Sequence, residues 1–325
     1  MICGKKILVT GGAGFIGSNL VEILLKQGNC VTVLDNFSTG YRKNIADFAG
    51  NPEFKLIEGD IRDYDTCLKA AKEQDYILHQ AALGSVPRSI KDPMTSTDVN
   101  IGGFVNMLYS AVECGVKRFV YAASSSVYGD SRELPKVEER IGKPLSPYAI
   151  TKYVNELYAE NFHKIYGIDC IGLRYFNVFG RRQSPDGAYA AVIPKFAAAL
   201  LAHQRPVING DGSYSRDFTY IDNVLNANLL ALETENCAAL NQVYNVACGE
   251  SLDLNGLFDA LRESLGEFDP EILKVEAVYG QNRAGDVPHS LADISRIKEL
   301  LGYKVEVPVR AGIRLAAQFY YESLR

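Results

Sequence analysis

The chain has 325 residues, 47% of them hydrophobic and 22% charged, with a net charge of −5. That length exceeds one comfortable hydrophobic core and favours a large domain with a smaller one. No apolar run is long enough to span a bilayer, and the acidic balance argues against a nucleic-acid partner while leaving room for a local basic pocket for phosphates.

Met1–Lys6 leads into a strand at once, with no room for a secretory signal, so a cytoplasmic protein is expected. The first half alternates short apolar runs with helix-like stretches. The runs are Ile7–Val9, Cys30–Leu34, Phe54–Ile57, Tyr76–Leu78, Phe119–Ala122 and Cys170–Tyr175, with a later one at Val243–Ala247. They are apolar on nearly every residue, as strands covered on both faces should be. Between the first two, Phe15–Gln27 reads as an amphipathic helix stopped by Gly28. Two further helices are predicted, Thr95–Cys114 and one that starts at Ser146-Pro147 and runs to about Tyr166. Strand–helix repetition implies an α/β fold with a doubly wound, parallel, Rossmann-type sheet. Past Asn177, Gly/Pro/Arg-rich loops and short helices take over, suggesting a smaller, discontinuous cap. The expected division is 1–177 with about 212–248 for the sheet domain, and about 178–211 with 249–325 for the substrate-binding domain.

The seven cysteines (Cys3, Cys30, Cys67, Cys114, Cys170, Cys237 and Cys248) form no C-x-x-C pair and read as reduced thiols. His79, His163, His203 and His289 show no metal-ligand spacing, so no metal is expected.

The first strand runs into Thr10-Gly11-Gly12-Ala13-Gly14-Phe15-Ile16-Gly17, in which Gly11, Gly14 and Gly17 have G-x-x-G-x-x-G spacing. Such a turn brings backbone N–H groups and a helix N-terminus to a pyrophosphate. A glycine cluster alone is a weak signal, but this one follows a strand, opens a helix and has an acid downstream. That acid is Asp35, eighteen residues after Gly17. Its carboxylate can accept from an adenosine ribose 2′-hydroxyl and would repel a 2′-phosphate, which favours NAD over NADP. Asp60, at the end of the third strand, reads equally well as an adenine contact or a turn aspartate.

The fifth strand ends in Ser124-Ser125-Ser126, at the edge where open α/β sheets bind ligands. Tyr148 and Lys152 follow, spaced i and i+4 on one helix face. A free tyrosine titrates near about 10, too high for a base at neutral pH. A nearby ammonium and a positive nicotinamide should lower it, and a serine hydroxyl could orient the substrate oxygen or relay its proton. A lone Y-x-x-x-K means little. Here it comes after a dinucleotide turn and a serine-ended strand, in that order.

Those motifs, with Asp60-Ile61-Arg62-Asp63, His79-Gln80-Ala81-Ala82 and Arg174–Gly180, resemble the extended short-chain dehydrogenase/reductases over nearly the whole chain. Ala81–Ser89, Arg181-Arg182-Gln183 and Gly187–Pro194 resemble most closely the UDP-N-acetylglucosamine 4-epimerases of bacterial surface-polysaccharide pathways. The resemblance implies an isomerase with tightly bound NAD and a UDP-sugar substrate. Tyr148 would be the base, Lys152 would hold the nicotinamide ribose, and Ser124 would bind the reacting hydroxyl, with Ser125 beside it. Gly11, Gly14, Phe15, Ile16, Gly17, Asp35, Asn36, Asp60, Ile61, Gln80, Ala81, Ala82, Asn100 and Tyr175 would complete the NAD site. Gly84, Ser85, Asn177, Gln183, Ala191 and Val192 would line the sugar and its first phosphate. Arg216 and Arg283 would clamp the diphosphate, although their spacing alone reads as surface arginines in loops.

Related dehydratases and decarboxylases carry an acid just after the first hydroxyl of the serine segment, where this chain has Ser125, so elimination is disfavoured. Ser290 falls where some relatives have a bulky residue, which would leave space for an N-acetyl group; a plain helix cap before a helix near Asp293 is the other reading. The expected reaction is inversion at C4 through a transient 4-keto sugar. UDP-glucuronate, with Arg88 as the extra cation, and UDP-glucose are the alternative substrates, and a non-catalytic NAD or sugar-nucleotide sensor is the alternative class. The resemblance also implies a homodimer through a four-helix interface made by Thr95–Cys114 and Pro147–Tyr166.

Overall fold

The structure, a computed structural model, describes residues 2–185, 191–281 and 287–324. Seven strands form one wholly parallel sheet: β1 (Lys6–Thr10), β2 (Cys30–Asp35), β3 (Phe54–Glu58), β4 (Tyr76–His79), β5 (Arg118–Ser124), β6 (Asp169–Tyr175) and β7 (Gln242–Val246). Their order across the sheet is β7-β6-β5-β4-β1-β2-β3, so the winding reverses between β1 and β4. All seven predicted runs are strands, each within a residue or two of its expected ends.

Successive side chains leave a strand on opposite faces, and both faces here are apolar. Ile7 and Val9 of β1 enter one core and Leu8 enters the other. In β5, Val120 points one way while Phe119 and Tyr121 point the other. Helix α1 (Phe15–Lys26) covers the first face through Leu20 and Leu24. The second face is covered by α2 (Tyr64–Ala71), α3 (Phe104–Glu113) and α4 (Pro147–Tyr166), through Cys67, Phe104, Met107, Leu108 and Phe162. Later in the chain α5 (Ile221–Glu233) returns to the first face beside α1. Each fully buried Leu or Phe stabilises this layering by about 1.5–3 kcal/mol.

Helix α4 begins as its sequence predicts. Ser146 accepts from the Ala149 N–H at 3.1 Å, Pro147 occupies the first turn, and Gly167 ends the helix at φ +74°. The predicted helix over 95–114 is not one regular helix. Pro93–Thr97 is α-helical, Asp98–Gly103 is a π-helical segment, and α3 follows. The widened turn sets Val99 into the cleft described below and Asn100 against the Leu83 backbone. Gly103 has no alternative at its place, because a Cβ there would stand 2.5 Å from the Ile61 side chain.

Past β6 the chain makes short pairings. Val178–Phe179 runs parallel to Thr219–Tyr220, Val207–Asn209 parallel to Val278–Gly280, and Ser215–Arg216 antiparallel to Leu252–Asp253. Helices Val192–Leu201, Leu254–Gly266 and Val309–Ser323 add Phe196, Leu261 and Ile313 to the same apolar cluster that lies on the α1 face. Among the described residues, no helix is long and apolar enough to cross a membrane.

One buried carboxylate ties these later segments to the sheet. Asp217 accepts from the N–H groups of Cys248 (3.0 Å), Gly249 (3.0 Å) and Ala292 (3.2 Å), and its own carbonyl accepts from Asn177 Nδ2 (2.9 Å). It thereby joins the end of β7, the turn after β6 and the 290s loop at one point. Asp217→Ala should strand three donors out of reach of water and lower the unfolding free energy by about 3 kcal/mol or more. Urea denaturation measures this, and a loss below about 1 kcal/mol would show that the amides find other partners.

Candidate active site

A cleft of about 440 Å³ opens where the strand order reverses, at the carboxyl ends of β1, β2, β4 and β5. Its floor is the glycine turn. Gly11 has φ +68°, and a Cβ there would stand 2.8 Å from Ala81 N; one at Gly17 would stand 2.1 Å from the Gly11 carbonyl oxygen. Only bare backbone fits, so amides rather than side chains face the cleft. Helix α1 starts there with no side-chain cap and no acid in its first turn, leaving its positive end for an anion.

The adenosine-side walls are acidic. Asp35 is buried and accepts from the N–H groups of Ala13 (2.9 Å) and Phe37 (2.8 Å). Burial raises its pKa, and those two hydrogen bonds act against the rise. Asp60 is instead pulled down to about 2, chiefly by its hydrogen bonds with Arg62. Asn36 donates to it at 2.8 Å, so both side chains stand at one edge of the cleft.

Ser124, Tyr148 and Lys152 meet at the other end. Strand β5 ends at Ser124, and α4 lays Tyr148 and Lys152 over it, with the Tyr148 phenol in hydrogen-bonding reach of Ser124. Lys152 is buried and its Nζ donates to Ala122 O at 2.8 Å. Burial pushes the ammonium down to about 8, with Glu156 opposing. Burial also raises the pKa of Tyr148, and the Ser124 hydrogen bond is what opposes it. The expected lowering by an ammonium together with a positive nicotinamide concerns the site with its cofactor in place; in the chain alone Lys152 is not among the groups that move the Tyr148 pKa. The ammonium is turned to a backbone carbonyl, and the phenol stays protonated until a further positive charge enters the cleft.

A second cavity of about 700 Å³ adjoins the first, and Ser124 lines both. Its wall includes Ser125, Ser126, Asn177, Arg216 and Ser290. Asn177 sits at φ +36°, its amide held by Asp217, so the chain turns sharply after β6. Arg216 Nη1 donates to the Ser215 and Pro288 carbonyls, which places the guanidinium on the cavity wall rather than out on a loop. Ser290 lies against Ser215 and caps no helix, because the next helix begins at Ser295.

Of the residues expected from sequence, Gly11, Gly14, Phe15, Ile16, Gly17, Asp35, Asn36, Asp60, Ile61, Gln80, Ala81, Ala82, Gly84, Tyr148, Lys152 and Tyr175 line the first cleft. Others stand apart. Asn100 lies behind the wall, its amide spent on Leu83 and Thr151. Ser85 caps the short helix Val86–Lys91, and Gln183 is held by Val178 and Tyr320. Ala191 and Val192 open the helix Val192–Leu201 without lining either cavity. Arg88 lines neither cavity; the buried cation of the second is Lys136. Arg283 lies outside the described residues.

Sequence reasoning missed Asn228, which hydrogen-bonds Tyr175 at 2.9 Å and Gln80 at 3.4 Å and so braces one cleft wall. It carried no distinct signal in the sequence, because the same helix also holds Asn223 and Asn226. It also missed Ser38, Thr39 and Gly40, whose loop folds over the cleft.

The sequence profile of the NAD dependent epimerase/dehydratase family matches residues 7–247. The chain belongs to that family. UDP-glucose 4-epimerase of Mycolicibacterium smegmatis is 36% identical over 97% of this chain and 98% of its own length. The structure of UDP-N-acetylglucosamine 4-epimerase from Methanobrevibacter ruminantium M1 in complex with UDP-N-acetylmuramic acid superposes with a TM-score of 0.91, at 38% identity and 99% of both chains. UDP-glucuronic acid 4-epimerase from Bacillus cereus, solved with UDP-glucuronic acid and NAD, gives a TM-score of 0.86 at 30% identity, over 98% of this chain and 99% of that one.

As a member of this NAD-dependent epimerase/dehydratase family the chain uses NAD, and its cleft fits that cofactor: bare backbone and an uncapped helix end for the pyrophosphate, and buried Asp35 for a ribose. Gly17→Ala should therefore abolish NAD retention and destabilise the fold by about 1–3 kcal/mol. The control is Gly102→Ala, whose Cβ would meet only Asp98 Oδ1 at 3.6 Å. Absorbance of cofactor released on denaturation and a thermal melt read both variants. Wild-type cofactor content in Gly17→Ala would show that the turn does not hold the pyrophosphate.

Proposed function

We propose that this protein is a UDP-sugar 4-epimerase whose substrate is UDP-N-acetylglucosamine, interconverted with UDP-N-acetylgalactosamine. The observation that carries the reading is the place of Ser124, shared by the dinucleotide cleft and the second cavity, with Tyr148 beside it. A sugar carbon held there can face a nicotinamide and a phenol together. Relatives that match nearly the full length are named as 4-epimerases of UDP-glucose, UDP-N-acetylglucosamine and UDP-glucuronic acid.

When bound, NAD supplies a hydride acceptor and donor. Ser124 orients the C4 hydroxyl, and Tyr148 takes its proton once a positive charge alongside favours the phenolate. Lys152, fixed on Ala122 O, holds the ribose side of the cofactor. Arg216 grips the diphosphate from the wall. The sugar is held loosely, because Ser125, Ser126, Gly129, Ala149 and Ser290 present little bulk, and the 4-keto sugar can show its other face before Tyr148 returns the proton. Ser125 stands where an eliminating enzyme needs an acid. The small Ser290 favours an N-acetyl group at C2. Lys136 in the same wall keeps UDP-glucuronate as the second reading.

Purified protein given UDP-N-acetylglucosamine without added NAD should form UDP-N-acetylgalactosamine, resolved by NMR. Tyr148→Phe should cut kcat by roughly 10²–10⁴-fold with cofactor retained. Faster turnover of UDP-glucuronate or UDP-glucose would reassign the substrate, and no turnover of any of the three would leave a sensor.

We also propose a homodimer through α3 and α4. Exposed Ile150, Leu157, Tyr158, Ile165 and Tyr166 recur along α4 at helical spacing, and Tyr109 of α3 joins them. Leu157→Glu with Ile165→Glu should shift gel-filtration elution from dimer to monomer. A wild-type protein that elutes as a monomer at micromolar concentration would remove the dimer.

A further inference from the structure

Helix α4 carries a third titratable residue in series with the two already described. Glu156 comes four residues after Lys152, as Lys152 comes four after Tyr148, so the three share one helix face. That face lies on β5 and β6. Lys152 Nζ donates to Ala122 O of β5 at 2.8 Å. One turn later Glu156 accepts a fork from Arg174 of β6, Nε to Oε1 at 2.9 Å and Nη2 to Oε2 at 2.8 Å. Both side chains of the pair are buried, at 5% and 6% exposure. The strand register carries the effect to the site: Arg174 is opposite Ala123, and Tyr175 is opposite Ser124. The remaining nitrogen of Arg174 reaches the other way, donating to Tyr128 OH and Glu138 O, each at 3.0 Å. Tyr128 lines the sugar-side cavity and donates to Asn245 Oδ1 at 2.6 Å.

A buried ion pair is a poor device for stability alone, since apolar side chains of similar size often serve as well or better. What a forked pair adds is a single allowed geometry. We propose that Glu156 and Arg174 are positioning residues for the epimerase reaction: their buried fork sets the register of α4 on β6, and with it the placement of Tyr148 and Lys152 against Ser124.

The pair also has an electrostatic consequence. Burial pushes Lys152 down to about 8, and Glu156 is the group that holds it up. His79 of β4 also faces Lys152, but burial first, and then the Lys152 charge, press it down to about 3, so it stays neutral. Tyr148 on the same helix is half-buried and protonated, and Tyr121 of β5 lies near Glu156 and Arg174 with its pKa raised by burial. Loss of the Glu156 charge therefore lets Lys152 give up its proton at lower pH.

The proposal rests on the epimerase reading for its kinetic arm only. The test is the double variant Glu156→Leu/Arg174→Met, which removes both charges and keeps the volume, compared with wild type as purified holoenzymes. Expected are an unchanged melting temperature, a KM within about twofold and a kcat lower by roughly ten- to a hundredfold. In ¹³Cε-lysine NMR spectra, with the signal assigned by Lys152→Arg, the Lys152 midpoint should lie at lower pH in the double variant than in wild type. Arg174→Lys keeps the charge and loses the fork; it should restore the midpoint and leave kcat below wild type. A folded double variant with wild-type kcat and an unmoved midpoint would overturn the proposal. If the double variant does not fold, wild-type kcat in Arg174→Lys would overturn it. Absence of turnover in wild type itself would count against the epimerase reading, and the NMR midpoint would still decide the role of the pair.

Discussion

The reversal of strand order between β1 and β4 parts the loops that leave those two strands, and the dinucleotide cleft opens in the gap. The rest of the structure depends on that constraint. A parallel sheet covered on both faces leaves its carboxyl edge as the place where backbone amides, side-chain hydroxyls and helix ends can converge without losing core contacts. The glycine turn, the Asp35 carboxylate and the Ser124 hydroxyl all belong to segments that end at this edge.

Little water reaches the Ser124 end of the cleft. Lys152 is buried and Tyr148 half-buried, and burial disfavours the charged form of each. The phenol of Tyr148 thus stays protonated, and the ammonium of Lys152 is brought down to about 8. Such a site responds strongly to any charge brought into it, because little solvent screens the effect. The same low-dielectric setting gives the Arg174–Glu156 fork its reach under α4.

The sugar side is built on another principle. Its wall is assembled from the 124–129 segment, the turn after β6, the Ser215–Arg216 strand and the 290s loop. These segments are far apart in sequence, and one carboxylate, Asp217, buried among three backbone amides, ties the turn after β6 to the end of β7 and to the 290s loop. Small side chains leave the space open, while Arg216 and Asn177 mark its polar end.

What the sequence determined by itself was local and periodic. Mostly apolar runs marked the seven strands, most clearly the inner ones, because a strand buried on both faces has no polar side to hide the signal; β3, at the sheet edge, carries the exposed Lys55. The glycine spacing, the Ser146-Pro147 helix start and the i, i+4 pair of Tyr148 and Lys152 were legible because each is a relation between near neighbours. Tertiary structure alone decided the rest. The π-helical turn at 98–103 packs Gly103 close against Ile61, and the true surroundings of Asn100, Gln183 and Arg216 depend on groups well separated in sequence, Leu83 and Thr151, Tyr320 and Pro288. Asn228, Asp217 and the pairing of Arg174 with Glu156 could not be read from sequence, since a buried polar group is recognised only by the partners that folding brings to it.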